Sequence, residues 1–216
     1  MPVYSQESDA LPVLPELEEK IIDWNQIHMG GISFQQSFKT IEVSSEGSAS
    51  DVTYSLLSPG IHYAGYSGSL IGFLSDFYLS FPISSRLESG GTDNNFGVSF
   101  DYMGAVAWNL WAGPAGFLPY IGFHTQYTFL EKDPMDENLS NHMLSFGIGA
   151  GVKILFKLSD RHNLYTGING CLDTIEFTNA SYDSREVQLS RKILYSVSLG
   201  YAYTAPVRKK ILQQNL

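Results

Sequence analysis

Charged side chains and cysteines are both scarce in this chain. Of its 216 residues, 16% are charged, whereas soluble domains carry about 25%. The net charge of −9 excludes the basic surface that nucleic-acid binding requires. The one cysteine, Cys171, excludes a disulfide framework and a thiolate metal cluster. The mean hydropathy of −0.06 argues against a bundle of membrane helices.

The sequence does contain a regular alternation of large apolar residues with small or polar residues, which is clearest over residues 96–131. Nearly every second residue from Phe96 to Leu110 is large and apolar, and the residues between them are small or polar. The alternation resumes after a turn and continues to Phe129. A period of two is that of a β-strand with two different faces. An aromatic face opposite a small, polar face is typical of a strand whose outer side meets lipid.

Eight alternating segments predict the fold class, an all-β, eight-stranded antiparallel transmembrane β-barrel. Two irregularities are expected: Gly30-Gly31 shifts the phase of the first strand as a bulge would, and Pro59-Gly60 breaks the second. The segments cover about residues 26–42, 52–66, 69–83, 95–111, 117–131, 141–158, 162–178 and 190–204.

The connections between these segments alternate in length. Long polar loops are expected at residues 44–51, 84–94, 132–140 and 179–190, and tight turns at 67–68, 112–116 and 159–161. Long loops on one rim and short turns on the other are typical of outer-membrane barrels. Aromatic belts are expected at both rims. Their members are Phe96, Tyr127, Phe129 and Phe146 at the long-loop rim, and Trp108, Phe117, Phe156, Tyr201 and Tyr203 at the short-turn rim.

The strand pattern, the loop asymmetry and the ending Leu199-Gly200-Tyr201-Ala202-Tyr203 resemble small outer-membrane barrels of the OmpA, OmpX and OmpW type. The resemblance covers about residues 26–204 and is architectural, without a diagnostic motif. It implies an integral protein in the outer membrane of a diderm bacterium, with a structural role or a narrow channel for small or hydrophobic solutes. The alternative function is a surface adhesin or ligand-binding barrel that acts through its long loops. A lipid-modifying enzyme is a third, weaker alternative.

The two ends of the chain differ from the barrel segments. Residues 1–25 form an acidic leader, expected in the periplasm, in which Pro15 and the acidic residues after it favour a short helix through Trp24. Residues 205–216 form a polar C-terminal tail, whereas barrels of the resembling type commonly end on an aromatic residue. The first residues lack the features of a secretory signal. Because an outer-membrane barrel must be exported, we expect a start upstream of Met1 or a processed chain.

Two rival folds fit parts of the sequence. No charged residue lies between Asp101 and Glu131, a length that could form a membrane helix, but Pro114, Pro119 and the alternation disfavour one. A soluble, lipocalin-like barrel would be apolar inside. The large apolar residues on one face of this chain outnumber what an eight-stranded interior can hold.

The small, polar face carries ionisable residues that we expect inside the barrel. An unpaired buried charge is costly, so these residues should pair across the lumen, with Asp101 and His124 facing partners on neighbouring strands. Two interpretations remain: a structural network that plugs the lumen, or a gated path for protons or ions. The predicted lumen residues are Asp76, Asp101, His124, Lys153, Lys157 and Asp173.

Motifs for catalysis and metal binding are missing. A lipid-modifying barrel enzyme, as the resemblance would imply, presents a His-x-Ser pair with an orienting carboxylate, but His124-Thr125-Gln126 lacks the serine. The five histidines are scattered without metal-ligand spacing, and no glycine-rich loop precedes a helix. We therefore predict no enzyme activity, no cofactor and no metal site. The expected partners are outer-membrane lipid and an extracellular ligand of the long loops, with no nucleic acid.

Overall fold

A computed structural model describes residues 17–45, 48–88, 92–133, 140–178 and 186–214. Within them, every β-strand belongs to one antiparallel sheet that closes on itself, because the first strand pairs with the last as well as with the second. The predicted all-β barrel is confirmed. The strands are β1 (Leu17–Ser45), β2 (Ser48–Gly68), β3 (Ile71–Ser80), β4 (Ser84–Leu87), β5 (Thr92–Asn94), β6 (Gly97–Trp108), β7 (Leu110–Ala112), β8 (Ala115–Leu130), β9 (Asn141–Lys157), β10 (His162–Thr178) and β11 (Glu186–Gln214).

These strands form eight continuous segments of the barrel wall, which we call staves, and each stave pairs with its neighbours in the sequence. Two staves are interrupted. β3 and β4 together form the third stave, because both pair with β2 and the backbone amides of Phe81 and Ile83 between them donate to the carbonyls of Pro59 and Leu57. β5, β6 and β7 form the fourth stave in the same way.

The alternation in the sequence becomes an inside and an outside. Along β6, Phe100 is 52% exposed, whereas its neighbour Asp101 is 4% exposed. Along β8, Phe123 lies outside and His124 is buried. Both rival folds are therefore wrong: residues 97–130 cross as strands, and the barrel is apolar outside with charges inside. Across the described ranges, no helix has the length and apolar character to cross a membrane.

The irregularities predicted for the first two strands are not there. β1 pairs without a break through Gly30 and Gly31, and its register shift lies between Thr40 and Ile41. The two glycines permit a close approach instead, because a Cβ on Gly31 would collide with the carbonyl oxygen of Leu199. β2 likewise continues through Pro59-Gly60. The missing N–H of proline faces the neighbouring stave, where that stave is itself interrupted.

The first and last strands extend beyond the predicted barrel. The pairing of β1 with β11 begins with Leu17 opposite Gln214. The predicted limits of the barrel, between residues 25 and 26 and between residues 204 and 205, therefore fall inside strands. The short helix expected through Trp24 is a strand over residues 17–24, since this backbone is paired with β11. Residues 1–16 of the predicted leader lie outside the described residues.

The connections are shorter than expected on the long-loop rim. The loop predicted at 44–51 is a hairpin, in which β1 and β2 stay paired up to Ser45 and Ser48. The loop predicted at 84–94 contains the β4–β5 hairpin. The loops predicted at 132–140 and 179–190 lie largely outside the described residues. On the opposite rim, tight turns lie at 69–70, 113–114 and 158–161. The first is two residues later than the predicted 67–68, because Ser67 and Gly68 still belong to β2.

Candidate functional site

The barrel interior contains three groups of charged side chains. In the first, which we call the lower cluster, Lys153 Nζ lies 2.8 Å from Asp76 Oδ2. His62 hydrogen-bonds to the same aspartate, and Lys153 Nζ also contacts His62 Nε2 at 2.9 Å. Lys153, His62 and Asp76 are all buried. The phenol of Tyr78 accepts a hydrogen bond from Lys153 at 3.0 Å, and Tyr165 hydroxyl contacts His62 Nδ1 at 2.6 Å. Every polar side-chain group of the lower cluster therefore has a hydrogen-bond or ion-pair partner inside the barrel.

The middle cluster is centred on an imidazole between two carboxylates. His124 Nδ1 lies 2.7 Å from Asp173 Oδ1, and His124 Nε2 lies 3.5 Å from Asp101 Oδ1. Asp173 also accepts a hydrogen bond from Ser145 at 2.8 Å and has Lys192 Nζ at 3.8 Å. The cluster draws its members from five different strands, β6, β8, β9, β10 and β11. It therefore ties distant parts of the wall together.

The upper cluster is an ion pair between Lys39 and Glu176. The two side chains are 7% and 4% exposed. Lys39 Nζ contacts Met143 Sδ at 3.1 Å and lies 5.5 Å from the ring centre of Tyr54. Aromatic and thioether groups thus enclose the ammonium group next to its carboxylate.

The charges of the three clusters nearly cancel. They contain the carboxylates Asp76, Asp101, Asp173 and Glu176 and the ammonium groups Lys39, Lys153 and Lys192. One further positive charge makes the set neutral. His124 is flanked by two carboxylates, so an imidazolium at this position is the arrangement that leaves no charge of these three clusters uncompensated.

The interior is narrow beside these clusters. The cavity beside Lys39 and Lys192 has a volume of about 10 Å³, which is no more than one water molecule occupies. Towards the short-turn rim, an apolar cluster that includes Ile27, Leu118 and Leu155 fills the barrel, and all three side chains are fully buried. Side chains therefore occupy most of the described interior at these two levels.

The structure brings together most of the predicted lumen residues and separates one of them. Lys157 lies outside the clusters because β9 ends there. Its ammonium pairs with Asp160 in the following turn at 3.0 Å, and the lysine side chain is 42% exposed. Sequence reasoning did not include seven members of the clusters. The residues found inside as predicted are Asp76, Asp101, His124, Lys153 and Asp173, and those missed are Lys39, His62, Tyr78, Ser145, Tyr165, Glu176 and Lys192.

A cysteine, a histidine and an aspartate lie together in the interior. This is the composition of a catalytic triad, but a substrate cannot reach the cysteine. Cys171 lies beside His124, and His124 contacts Asp173. The thiol is buried against Met103, since a Cβ on Gly149 would meet both Cys171 Sγ and Met103 Cε within 2.8 Å. No substrate carbonyl could approach it there. Among the described residues, no group of three ligands could hold a metal ion.

The outer surface is a belt of apolar side chains on every stave. Ile61, Phe123 and Ile148 are each more than half exposed, and along β9 the outward apolar positions run from Leu144 to Phe156. At about 3.3 Å per residue and a tilt of about 40°, that distance is about 30 Å along the axis. The hydrocarbon core of a bilayer has the same thickness.

Histidine–tyrosine pairs lie near the two ends of this belt. Tyr63 hydroxyl contacts His28 Nδ1 at 2.9 Å, and Tyr127 hydroxyl contacts His142 Nδ1 at 2.7 Å. Polar-tipped aromatic residues favour the boundary between lipid and water. The closed barrel, its apolar belt and its charged interior define a small transmembrane β-barrel.

Comparison with known proteins adds remote similarities. No family model and no curated protein matches the chain. A major outer membrane protein from Thermus thermophilus is 14% identical, with 81% of this chain and 99% of that chain covered and a TM-score of 0.49. AlkL, solved in lipid bilayers, is 12% identical, with 96% and 98% covered and a TM-score of 0.48. OprG from Pseudomonas aeruginosa is 11% identical, with 84% and 95% covered and a TM-score of 0.46. Similarity at this level conveys nothing about a solute or a ligand.

Proposed function

We propose that this chain is an integral barrel of the outer membrane of a diderm bacterium, with lipid as its main surrounding partner. The observation that carries the proposal is the continuous apolar belt around all staves. A soluble monomer rarely exposes an apolar patch larger than about 300–600 Å², and residues such as Ile148, at 63% exposed, and Phe177, at 64%, are not covered by the described part of the chain. Lipid supplies that cover.

Within the membrane, we propose a structural barrel that is closed at rest. Solutes could pass only if the lower and middle clusters separated, because the charged ends of Lys153 and Asp76 meet across the lumen at 2.8 Å. A narrow channel is therefore the gated form of the same protein. The residues that would set the gate are the cluster members named above. Since Cys171 is buried without an approach for substrate, the proposed role is not enzymatic.

Conductance in planar bilayers tests the closed barrel. The purified protein, refolded and added at neutral pH, is expected to leave the membrane current at background because the interior cavity next to the upper cluster is only about 10 Å³. Boiled and unboiled samples should migrate differently on a gel, which controls for a folded barrel. Stable current steps from the folded protein would contradict the closed state, and equal migration would contradict the barrel itself.

A second function, binding of an extracellular ligand, is favoured by hairpins that continue past the belt. Among the residues of β1 whose side chains are described, the last exposed large apolar one toward this rim is Phe38, but the backbone of β1 stays paired with β2 as far as Ser45. Seven further residues at about 3.3 Å each hold the hairpin about 20 Å beyond the belt along the strand. Paired strands present a connection rigidly, and connections on a rigid scaffold often carry binding residues.

Loop grafting tests this second function. Residues 44–51, 84–94, 132–140 or 179–190 are transferred singly to an unrelated barrel displayed on cells. If the hairpins form the binding surface, one graft should transfer whatever binding the intact protein shows to an array of immobilised proteins and glycans. Binding that stays with the original barrel after its hairpins are shortened would exclude this function.

A further inference from the structure

A second cavity opens at the short-turn mouth of the barrel, and neither function proposed above uses it. Its volume is about 160 Å³. We call it the cup. Ile27, fully buried, forms part of its inner wall, and the apolar cluster behind Ile27 separates the cup from the charged interior. The cup is therefore a closed-ended site that is reached from one side. Its polar walls are formed by Asn25, Asn109, Lys157, Asp160 and Asn163, with Trp111 beside them.

One polar group in the cup lacks a partner. Asn163 is 1% exposed, and its amide nitrogen donates to Thr204 Oγ1 at 3.2 Å. Its oxygen, Oδ1, has no hydrogen-bond partner. Turning the amide by 180° would exchange the two atoms but would still leave one of them unpaired. A buried amide group without a partner is costly unless a ligand or water completes it.

The charges at the mouth select against an ionic ligand. Among the described residues that line the cup, the charged ones are Lys157 and Asp160, and they pair with each other at 3.0 Å. Their opposite charges offset each other, which favours a neutral ligand over an ion. The other polar groups are the Trp111 indole, the Thr204 hydroxyl and three amides, and amides both donate and accept hydrogen bonds. Hydroxyl groups of a neutral ligand are complementary to them.

The size and the exposed indole favour a six-membered ring. A cavity of about 150 Å³ accepts a benzene molecule, so the cup has room for one ring of that size. Trp111 donates its indole N–H to Asn109 Oδ1 at 2.8 Å, which fixes the orientation of the ring system. The side chain is 42% exposed. Its face is thus held in place and available for contact with an apolar ring face.

We propose that the cup binds a neutral, hydroxyl-bearing six-membered ring, the chemistry of a hexose or an N-acetylhexosamine unit. Asn163 completes its hydrogen bonding with a ligand hydroxyl, and Trp111 packs on the C–H face of the ring. The same unit could be a free sugar or the end of a glycan chain, since the mouth of the cup is open. This assignment depends on the cup alone and stands whether or not the lumen opens.

Binding is measured by fluorescence of Trp111 in a protein whose other tryptophans, Trp24 and Trp108, are replaced by Phe. The protein is held in lauryldimethylamine oxide micelles, whose headgroup contains no sugar. N-acetylglucosamine and its β-1,4-linked trisaccharide are the probes, and inorganic phosphate is the charged comparison. We expect saturable changes with a Kd of about 1 mM or tighter. Binding of the trisaccharide identifies a glycan end, and binding of the monosaccharide alone identifies a free sugar.

The variant Asn163→Leu, which keeps the size of the side chain but removes its polar atoms, is expected to raise the Kd about tenfold or more. Leu164→Ala is the matched control, because Leu164 is the next residue on the same strand and faces outward. Both variants are checked for heat-modifiable migration, so that misfolding is seen separately. Equal affinity in the two folded variants overturns the proposal, as does binding of phosphate in place of the sugars or no binding by any probe.

Discussion

Replacing Lys153 by Met is expected to lower the free energy of unfolding by about 3–5 kcal/mol, because it leaves a buried carboxylate without its main counter-charge. Lys153 is fully buried and its ammonium lies 2.8 Å from Asp76. Methionine has a similar length and flexibility, so the change removes charge more than volume. Urea unfolding of the barrel in lipid vesicles, followed by tryptophan fluorescence, measures the effect.

Two further variants separate loss of charge from loss of packing. Lys157→Met changes a lysine that is 42% exposed at the end of the same strand, and it should alter stability by no more than about 0.5 kcal/mol. Adding Asp76→Asn to Lys153→Met should restore much of the loss, since a neutral amide keeps a hydrogen bond to His62 without a charge. Equal losses from the two lysine variants would show that the lower cluster is not held by this ion pair.

The number and direction of the staves could be predicted because each has two chemically different faces. Lipid on one side and a narrow interior on the other impose a strict period of two, as Phe123 and His124 show. The extent of the strands could not be predicted in this way. Beyond Phe38, the described exposed residues Glu42 and Asp51 are polar, so the alternation of apolar with polar residues ends while the backbone pairing continues to Ser45.

The inner residues could be assigned to a face, but their partners could not be named. Period two places Asp101 and Asp173 inside, whereas the contact of both with His124 depends on the register between staves. The sequence does not encode that register in a local pattern. Lys157 is an even number of residues from the inward residue Lys153, so period two places it inside. It lies beyond the last buried residue of β9, however, and its side chain is exposed to water.

Two of the missed residues lie next to register shifts. Lys39 keeps the inward phase of Gln35 and faces the lumen at 5% exposed, and the register between β1 and β11 shifts just after it, between Thr40 and Ile41. Its partner Glu176 follows a register shift between Asp173 and Ile175 on β10. Period-two counting from the middle of β10 therefore loses Glu176. Lys192 already lies within the eighth predicted segment, residues 190–204, and counting back by twos from the inward residue Ser196 would have found it.

The charge of the middle cluster predicts a second large change in the free energy of unfolding. His124→Gln is expected to lower the free energy of unfolding by about 3 kcal/mol, because glutamine can form hydrogen bonds but cannot offset two carboxylates. The imidazole lies 2.7 Å from Asp173 and 3.5 Å from Asp101. Without it, Lys192, 3.8 Å from Asp173, is the ammonium group left to balance the pair. The measurement is the same urea titration at neutral pH.

Adding Asp101→Asn to His124→Gln distinguishes a charged imidazole from a neutral one. If His124 is an imidazolium, the double variant has one positive and one negative charge fewer, the clusters are again neutral, and most of the lost stability should return. If the imidazole is neutral, His124→Gln should cost only about 1 kcal/mol, the value of an ordinary hydrogen bond, and Asp101→Asn should change the stability equally with His124 and with Gln at position 124. Because the clusters contain four carboxylates and three ammonium groups, the first result is the one that the closed, neutral interior requires.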